Sequence, residues 1–76
     1  YRILLDIENN ESYALIVTDN NGYIISGIKN KTVSEYSLIE NSNPYKNNMN
    51  DTLLYYGPMN YLFKSNGSIV DIYLIK

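Results

Sequence analysis

Few residues in this chain could carry out chemistry, because its 76 residues include neither histidine nor cysteine. Histidine is the commonest general base and metal ligand, and cysteine supplies thiol nucleophiles and zinc ligands. Without them, the serines and threonines cannot form a catalytic triad of the usual kind. A serine–lysine pair would need a Ser-x-x-Lys spacing at the start of a helix, and the sequence offers no such context. We therefore predict that the chain is not an enzyme and binds no cofactor.

The acidic residues give no stronger indication of a catalytic or metal site. Asp6 and Glu35 could pair across strands as acid and base, but charges at strand positions usually lie on a solvated face. The string Asp19-Asn20-Asn21-Gly22 resembles the start of a calcium loop, yet it lacks the alternating ligands and the bidentate glutamate that ends such a loop. Four matches to the glycosylation sequon arise by chance in so asparagine-rich a chain. The sequence thus predicts no metal site.

Charge and hydropathy argue against two classes of partner. Six basic and eight acidic residues give a net charge of −2, and no block of like charge suggests a nucleic-acid-binding arm. The longest apolar runs are far shorter than the roughly 20 residues of a membrane-spanning helix. We therefore predict neither nucleic acid nor membrane as a partner. Because the chain opens at Tyr1 and not at methionine, we interpret residues 1–76 as one small domain trimmed from a longer, secreted protein.

The stretch Tyr13–Ser37 contains the most clearly predicted strands and turns, and these would position any site. Its three apolar runs are separated by two polar turns, and Asn21-Gly22 between apolar runs is among the strongest short-range signals for a β-hairpin. Glycine is expected there because it takes positive φ without a steric cost. The same alternation of apolar runs and turns continues to both ends of the chain. It predicts strands at 1–7, 13–18, 22–28, 32–37, 52–56, 59–64 and 69–75.

From these seven candidate segments we predict a mainly β domain, built as a single antiparallel meander sheet of about five to six strands. Segment 59–64 fits either a strand or one helical turn, and we favour the strand. A short helix within 38–64 would change the class to α+β. Strands 1–7 and 69–75 are predicted at the sheet edges, where their apolar character favours pairing with a second copy, so a homodimer is expected.

Two of the predicted strands carry apolar residues on both faces. Leu15 and Val17 share one face of their strand, and Ala14 and Ile16 share the other. Something should therefore cover each face of the sheet: another layer of this chain, a missing segment or a partner. Segment 38–51 is rich in loop-forming residues and is predicted to be a surface loop, pinned to the sheet by Leu38, Ile39, Tyr45 or Met49.

The most distinctive local string is Tyr55-Tyr56-Gly57-Pro58. Exposed aromatic side chains on a backbone fixed by proline are good material for a recognition surface. The alternative is a strand that ends in a turn, with both tyrosines packed on the sheet. We favour the second interpretation on the residues alone.

Three segments, taken in order, resemble the pro-domains of streptopain-type cysteine peptidases and the related inhibitor-like domains of proteins secreted by low-GC Gram-positive bacteria. The first is the hairpin of Ala14-Leu15-Ile16-Val17 with Gly22-Tyr23-Ile24-Ile25-Ser26-Gly27, followed after a charged turn by a return strand ending in Glu35-Tyr36-Ser37. The second is Asn43-Pro44-Tyr45, and the third is Tyr55-Tyr56-Gly57-Pro58-Met59-Asn60-Tyr61. The resemblance covers about residues 13–63. The helix that precedes the first strand in that family, and the catalytic domain, have no counterpart in this chain.

The resemblance implies a non-catalytic module that packs against a cysteine peptidase, or against its own parent chain, and blocks the substrate cleft. It also implies that the missing helix would cover one face of the sheet. The alternative is a structural, adhesive or self-associating module of a bacterial secreted or surface protein with no link to a peptidase. If the resemblance holds, the contact surface comprises Asn43, Pro44, Tyr45, Tyr55, Tyr56, Gly57, Pro58 and Tyr61.

Overall fold

Seven short strands make up the computed structural model of the protein, which describes residues 1–74. The strands are β1 Arg2–Leu5, β2 Glu11–Val17, β3 Tyr23–Gly27, β4 Val33–Ser37, β5 Thr52–Tyr55, β6 Tyr61–Ser65 and β7 Ser68–Asp71. A 3₁₀ turn, Ile72–Leu74, follows β7, and no α-helix occurs within residues 1–74. The predicted mainly β class is confirmed. Ile75, the end of the last predicted strand, lies outside the described residues.

All seven strands form one sheet, in the order β4-β3-β2-β1-β5-β6-β7. Neighbouring strands are antiparallel except for β1 and β5, which run parallel and are paired at Leu5 and Leu54. The sheet is therefore mixed and larger than the predicted antiparallel meander of five to six strands. The predicted edge position of residues 1–7 is wrong, because β5 pairs with the free side of β1 and places it in the middle of the sheet. The edges are β4 and β7.

The central hairpin forms where the sequence predicts it, but its glycine has a different role. Asn21 takes the positive φ of the turn, at 66°, and its N–H donates to the Thr18 carbonyl at 2.9 Å. Gly22 is needed for space, because a Cβ there would lie 2.6 Å from the carbonyl oxygen of Ser37. Close approach of the end of β4 to this turn therefore requires glycine.

The sheet is strongly curled. Tyr61 in β6 donates a hydrogen bond to Glu35 in β4, although five inter-strand steps separate the two strands. In a flat sheet those steps would span about 24 Å, which is beyond the combined reach of the two side chains. Curling creates a concave face that holds the core, and we call the opposite face the convex face. Concave-face residues of the core are Leu4, Leu15, Tyr23, Ile25, Leu53, Tyr55, Tyr61 and Phe63.

The connection from β4 to β5, residues 38–51, closes the concave side. Its backbone pairs with the β2–β3 turn, because the N–H groups of Asn41 and Asn43 donate to the carbonyls of Asn20 and Asn21. Tyr45 is fully buried in the core, where its ring packs edge-on against the ring of Tyr61. The prediction that apolar side chains pin this loop to the sheet is confirmed for Tyr45. Leu38 and Ile39 are exposed instead.

The convex face is only partly covered within residues 1–74, because Leu54 on that face is fully buried but several other side chains there are exposed. It carries a row of apolar side chains, of which Ile16 and Tyr36 are 43% and 66% exposed, respectively. Ile3, Leu5 and Ile24 on the same face are half-buried. The two-sided apolar pattern seen in the sequence thus corresponds to one face covered by the chain itself and one face that is only partly covered.

Candidate functional site

The β5–β6 connection forms an exposed, tightly constrained turn, which we call the 56–60 turn. The N–H of Tyr56 donates to the Asn60 carbonyl at 3.1 Å, and the N–H of Asn60 donates to the Gly57 carbonyl at 3.0 Å. Pro58 at the second position and a φ of 70° at Met59 define a type II β-turn. Gly57 also has a positive φ, of 113°, so the backbone conformation depends on several specific residues.

Met59 is an unfavourable residue at its position. The third position of a type II turn needs positive φ and normally holds glycine or asparagine, because a Cβ clashes with the backbone there. Met59 nevertheless takes this conformation and leaves its side chain 64% exposed to solvent. Strained backbone conformations cluster at functional sites, including those that hold a ligand.

The strands that carry this turn are fixed firmly in the core. Tyr55 and Tyr61 are paired directly across β5 and β6, and both are almost completely buried. Their rings stack with centroids 6.1 Å apart, and the Tyr55 ring also packs edge-on against Tyr13 at 4.8 Å. The 56–60 turn therefore projects from a rigid base.

A cluster of tyrosines around Glu35, here called the tyrosine cluster, holds the curled sheet together. Both Tyr23 and Tyr61 donate their hydroxyl protons to Oε1 of Glu35, the former at 2.6 Å. The Tyr55 hydroxyl donates to Oε2 at 2.6 Å. Because the single proton of Tyr55 is already committed, Ser34 must be the donor in its 2.8 Å contact with that hydroxyl.

A β-bulge explains how two consecutive residues of β4 reach the same cluster. Ile25 pairs with Glu35 but the next residue of β3, Ser26, pairs with Val33, so Ser34 is the extra residue. In a regular strand, neighbouring side chains point to opposite faces, whereas a bulge redirects one of them. The bulge thus lets both Ser34 and Glu35 face the concave side.

Burial and the neighbouring carboxylate keep these phenols protonated. Loss of solvation and the hydrogen bond to Glu35 raise the pKa of Tyr23 to about 12. The same two causes raise the pKa of Tyr55 and of Tyr61 above the usual range, and burial raises the pKa of Tyr45. Phenols in this state donate hydrogen bonds and cannot serve as general bases near neutral pH. The tyrosine cluster therefore consists of protonated hydroxyls that donate hydrogen bonds to the Glu35 carboxylate.

Glu35 and Asp6 do not form the acid–base pair considered from the sequence. Oδ1 of Asp6 accepts hydrogen bonds from the backbone N–H groups of Glu8 and Asn10, and Oδ2 accepts one from the Ser12 hydroxyl at 3.0 Å. Those bonds, led by the one from the Asn10 backbone, hold the pKa of Asp6 below its usual value. The hydrogen bonds of Asp6 lie within the β1–β2 turn and its flanking residues, whereas those of Glu35 lie within the tyrosine cluster. The residue pattern does not indicate that Glu35 faces inward, because it does not show the bulge that turns this side chain.

A cleft of about 560 Å³ lies beside the 56–60 turn. Tyr55, Tyr56 and Gly57 form one wall, and the β1–β2 turn and the end of β3 form the others. Its volume falls within the range of small ligand or peptide sites. Asn43 and Pro44 line a second depression, which they share with Tyr73. The two sequence segments predicted as one contact surface therefore line different depressions.

The predicted interface residues divide sharply by burial. Asn43, Tyr45, Tyr55 and Tyr61 are buried, with at most 2% of their surface exposed, and they belong to the core or its supporting hydrogen bonds. Pro44 and Gly57 are half-buried. Tyr56 and Pro58 are exposed, and Tyr56 has 38% of its surface accessible. The most exposed part of the predicted surface is therefore Tyr56 and Pro58, and the structure adds Met59.

No cluster of acidic or histidine side chains suited to a metal ion occurs among residues 1–74. Within the same residues, no helix has the length and apolar character needed to cross a membrane. No protein-family model, curated protein or solved structure matches the chain. The resemblance to streptopain-type pro-domains therefore stays a prediction from the sequence motifs.

Proposed function

We propose that this chain is a non-catalytic, inhibitor-like or pro-domain-like module of a protein secreted by a Gram-positive bacterium, and that it binds a cysteine peptidase. The 56–60 turn is the contact element. The observation that carries this proposal is the exposed Pro58–Met59 turn, which is strained, apolar and fixed on buried tyrosines. A loop that is held in one conformation before binding loses little entropy on association, which favours tight binding.

The chemistry of the turn suits a protein partner. Tyr56, Pro58 and Met59 together offer an aromatic ring, a fixed backbone and a polarizable thioether, and aromatic and methionine side chains are enriched at protein interfaces. No charged residue occurs between Tyr55 and Tyr61, so insertion into a partner's groove desolvates no full charge. A peptidase cleft is the groove that the sequence resemblance implies.

The test is a titration of the purified chain against papain-like and streptopain-like cysteine peptidases, with residual activity as the readout. We expect stoichiometric loss of activity for at least one of them. Tyr56→Ala and Pro58→Ala should weaken inhibition by at least tenfold if these residues are interface hot spots, about the cost of 1.4 kcal/mol. Ile69→Ala is the matched control, because Ile69 is 49% exposed on another hairpin, and it should inhibit like the parent chain.

Two results would contradict the proposal. One is full residual activity of every peptidase in the presence of a folded, excess module. The other is inhibition that Tyr56→Ala, Pro58→Ala and Ile69→Ala leave equally strong, which would place the contact elsewhere on the molecule.

A second candidate function is a structural or adhesive module with no peptidase link. The partly uncovered convex face favours it, since Ile16 and Tyr36 expose apolar surface there, and large apolar patches mark interaction surfaces. Failure of inhibition, together with binding of the module to intact cell envelopes that Ile16→Lys abolishes, would favour this function over the first.

A further inference from the structure

The outer side of β4 is a free sheet edge. No strand lies beside it among residues 1–74, where β3 is its only neighbour. The N–H and C=O groups along such an edge pair readily with another extended chain, and proteins usually protect edges with lysine, proline or covering loops. The bulge at Ser34 interrupts only the start of β4. The remainder contains neither lysine nor proline, and Tyr36 within it is 66% exposed.

The charges at the two ends of β4 indicate which chain fits this edge. Lys29 and Lys31 precede the strand and Glu40 follows it, and all three are exposed. If β4 pairs in antiparallel fashion with β4 of a second copy, the lysine end of each strand meets the glutamate end of the other. Two attractive contacts then form by symmetry, whereas a parallel pairing would bring like charges together.

We propose that the chain forms a symmetric dimer through antiparallel pairing of β4 with β4 of a second copy, about a two-fold axis near Tyr36. The two Tyr36 side chains become cross-strand neighbours on the convex face, where aromatic pairs are favourable. The sheets of both copies join, and their convex apolar faces become continuous. This inference is independent of peptidase binding, because the 56–60 turn belongs to β5 and β6.

The other edge is a poorer candidate for the same pairing. β7 has only four residues, ends at Asp71 and runs directly into the 3₁₀ turn. Ile69, at 49% exposed, is the only large apolar side chain of β7 that lies well open to solvent. Ile69 is a suitable control position, because Ile69 and Tyr36 both lie on the convex side, at opposite edges of the sheet.

Sedimentation equilibrium over a wide range of protein concentrations tests the dimer. The parent chain should move reversibly from monomer to dimer, and Tyr36→Lys should raise the dissociation constant at least tenfold by placing two ammonium groups side by side. Ile69→Lys and Ile16→Lys, which add the same charge elsewhere on the convex side, should leave the dissociation constant within about twofold. Circular dichroism checks that each variant is folded.

A charge exchange tests the antiparallel direction separately. Lys31→Glu and Glu40→Lys should each weaken the dimer roughly tenfold, because every substitution removes two surface ion pairs and introduces repulsion. The double variant should recover the parent dissociation constant. A parent chain that stays monomeric at all concentrations overturns the proposal, as does a dimer that Ile16→Lys or Ile69→Lys disrupts and Tyr36→Lys does not. Failure of the double variant to recover overturns the antiparallel pairing.

Discussion

Glu35 is the residue on which the closure of the sheet depends. Its carboxylate accepts hydrogen bonds from the hydroxyls of Tyr23, Tyr55 and Tyr61, which come from three different strands. Hydrogen bonds to a charged group are stronger than neutral ones, and a partly buried donor that loses its acceptor is costly. One side chain therefore connects β4 to both halves of the sheet.

We expect Glu35→Gln to lower the free energy of unfolding by about 1–3 kcal/mol. The carboxamide is neutral and keeps one acceptor oxygen where the carboxylate has two, so the Tyr55 hydroxyl loses the charged acceptor Oε2 and the bonds of Tyr23 and Tyr61 lose their charge assistance. Urea unfolding followed by circular dichroism measures the change. Glu40→Gln, at an exposed position, is the control and should stay within about 0.5 kcal/mol of the parent. Equal effects at both positions would contradict this role of Glu35.

The tyrosine cluster also predicts how stability depends on alkaline pH. An unfolded tyrosine has a pKa near 10, whereas the folded protein raises the pKa of Tyr23 to about 12. The unfolded chain therefore loses these protons first, so the stabilisation is complete below about pH 10 and is lost as pH rises toward 12. Urea midpoints measured at pH 8, 10 and 11 should fall progressively. Tyr23→Phe should show a shallower decline above pH 10, and an identical decline would rule out this contribution.

Met59 gives a prediction that separates backbone strain from side-chain contact. A residue with a Cβ at positive φ costs roughly 1–2 kcal/mol, and glycine avoids this cost but adds entropy to the unfolded chain. We expect Met59→Gly to raise the free energy of unfolding by up to about 1 kcal/mol. Met59→Ala keeps the Cβ, so it should not stabilise the protein. If the turn is a contact element, both variants should lose affinity for the partner.

At the scale of elements, the turns were the most predictable features. Asparagine and glycine marked the connections, and the positive-φ positions Asn9, Asn21, Asn41 and Asn66 show why asparagine is so frequent. The alternation of apolar residues predicted that Leu15 and Ile16 lie on opposite faces of β2, and the structure shows that these are the core face and the open face. Local residue preferences and periodicity act over a few residues, so they are visible in a sequence.

Two features could not be predicted because they depend on distant segments. The parallel pairing of β1 with β5 joins Leu5 to Leu54, and nothing in either segment specifies the other. The bulge at Ser34 alters the alternation of faces by a single residue, and it moved Glu35 from an expected solvated position into the tyrosine cluster. The exposed part of the candidate contact surface, Tyr56 and Pro58, was included in the sequence prediction, but its separation from the buried tyrosines needed the fold.

Gly22 and Gly67 provide a matched pair of predictions for the hairpin turns. A Cβ at Gly22 would lie 2.6 Å from the Ser37 carbonyl oxygen, so the end of β4 would have to move. We expect Gly22→Ala to cost about 1–3 kcal/mol from overpacking. Gly67 has a φ of 83°, and a Cβ there would have open space around it, so Gly67→Ala should cost only the roughly 1–2 kcal/mol of backbone strain. Thermal unfolding and the backbone NMR shifts of β4 distinguish them: only Gly22→Ala should perturb β4.

At the scale of the whole molecule, two antiparallel units share one core. Strands β1–β4 form the first unit and β5–β7 the second, and within residues 1–74 the only strand pairing between them is that of β1 with β5. Segment 38–51 strengthens the junction, since the Tyr45 hydroxyl donates to the Leu54 carbonyl and its ring packs on Tyr61. The core therefore depends on a residue that belongs to no strand.

We expect Tyr45→Ala to be the most damaging substitution considered, with a loss of about 3–5 kcal/mol, because it empties a large site at the centre of the core. Ile39→Ala, in the same segment but 73% exposed, is the control and should be nearly neutral. Urea unfolding measures both free energies. A small effect at Tyr45 would mean that the two units are joined mainly by the backbone pairing of β1 and β5.

The division into two units has a consequence for cleavage of the chain. Residues 38–41 form an exposed stretch between the last strand of the first unit and the buried Tyr45. A cut in this stretch leaves every strand pairing intact and separates the chain into fragments that each retain part of one common interior. When such fragments are produced separately and mixed, we expect them to associate and restore the fold. The covalent link between them then raises the rate of assembly more than it stabilises the final structure.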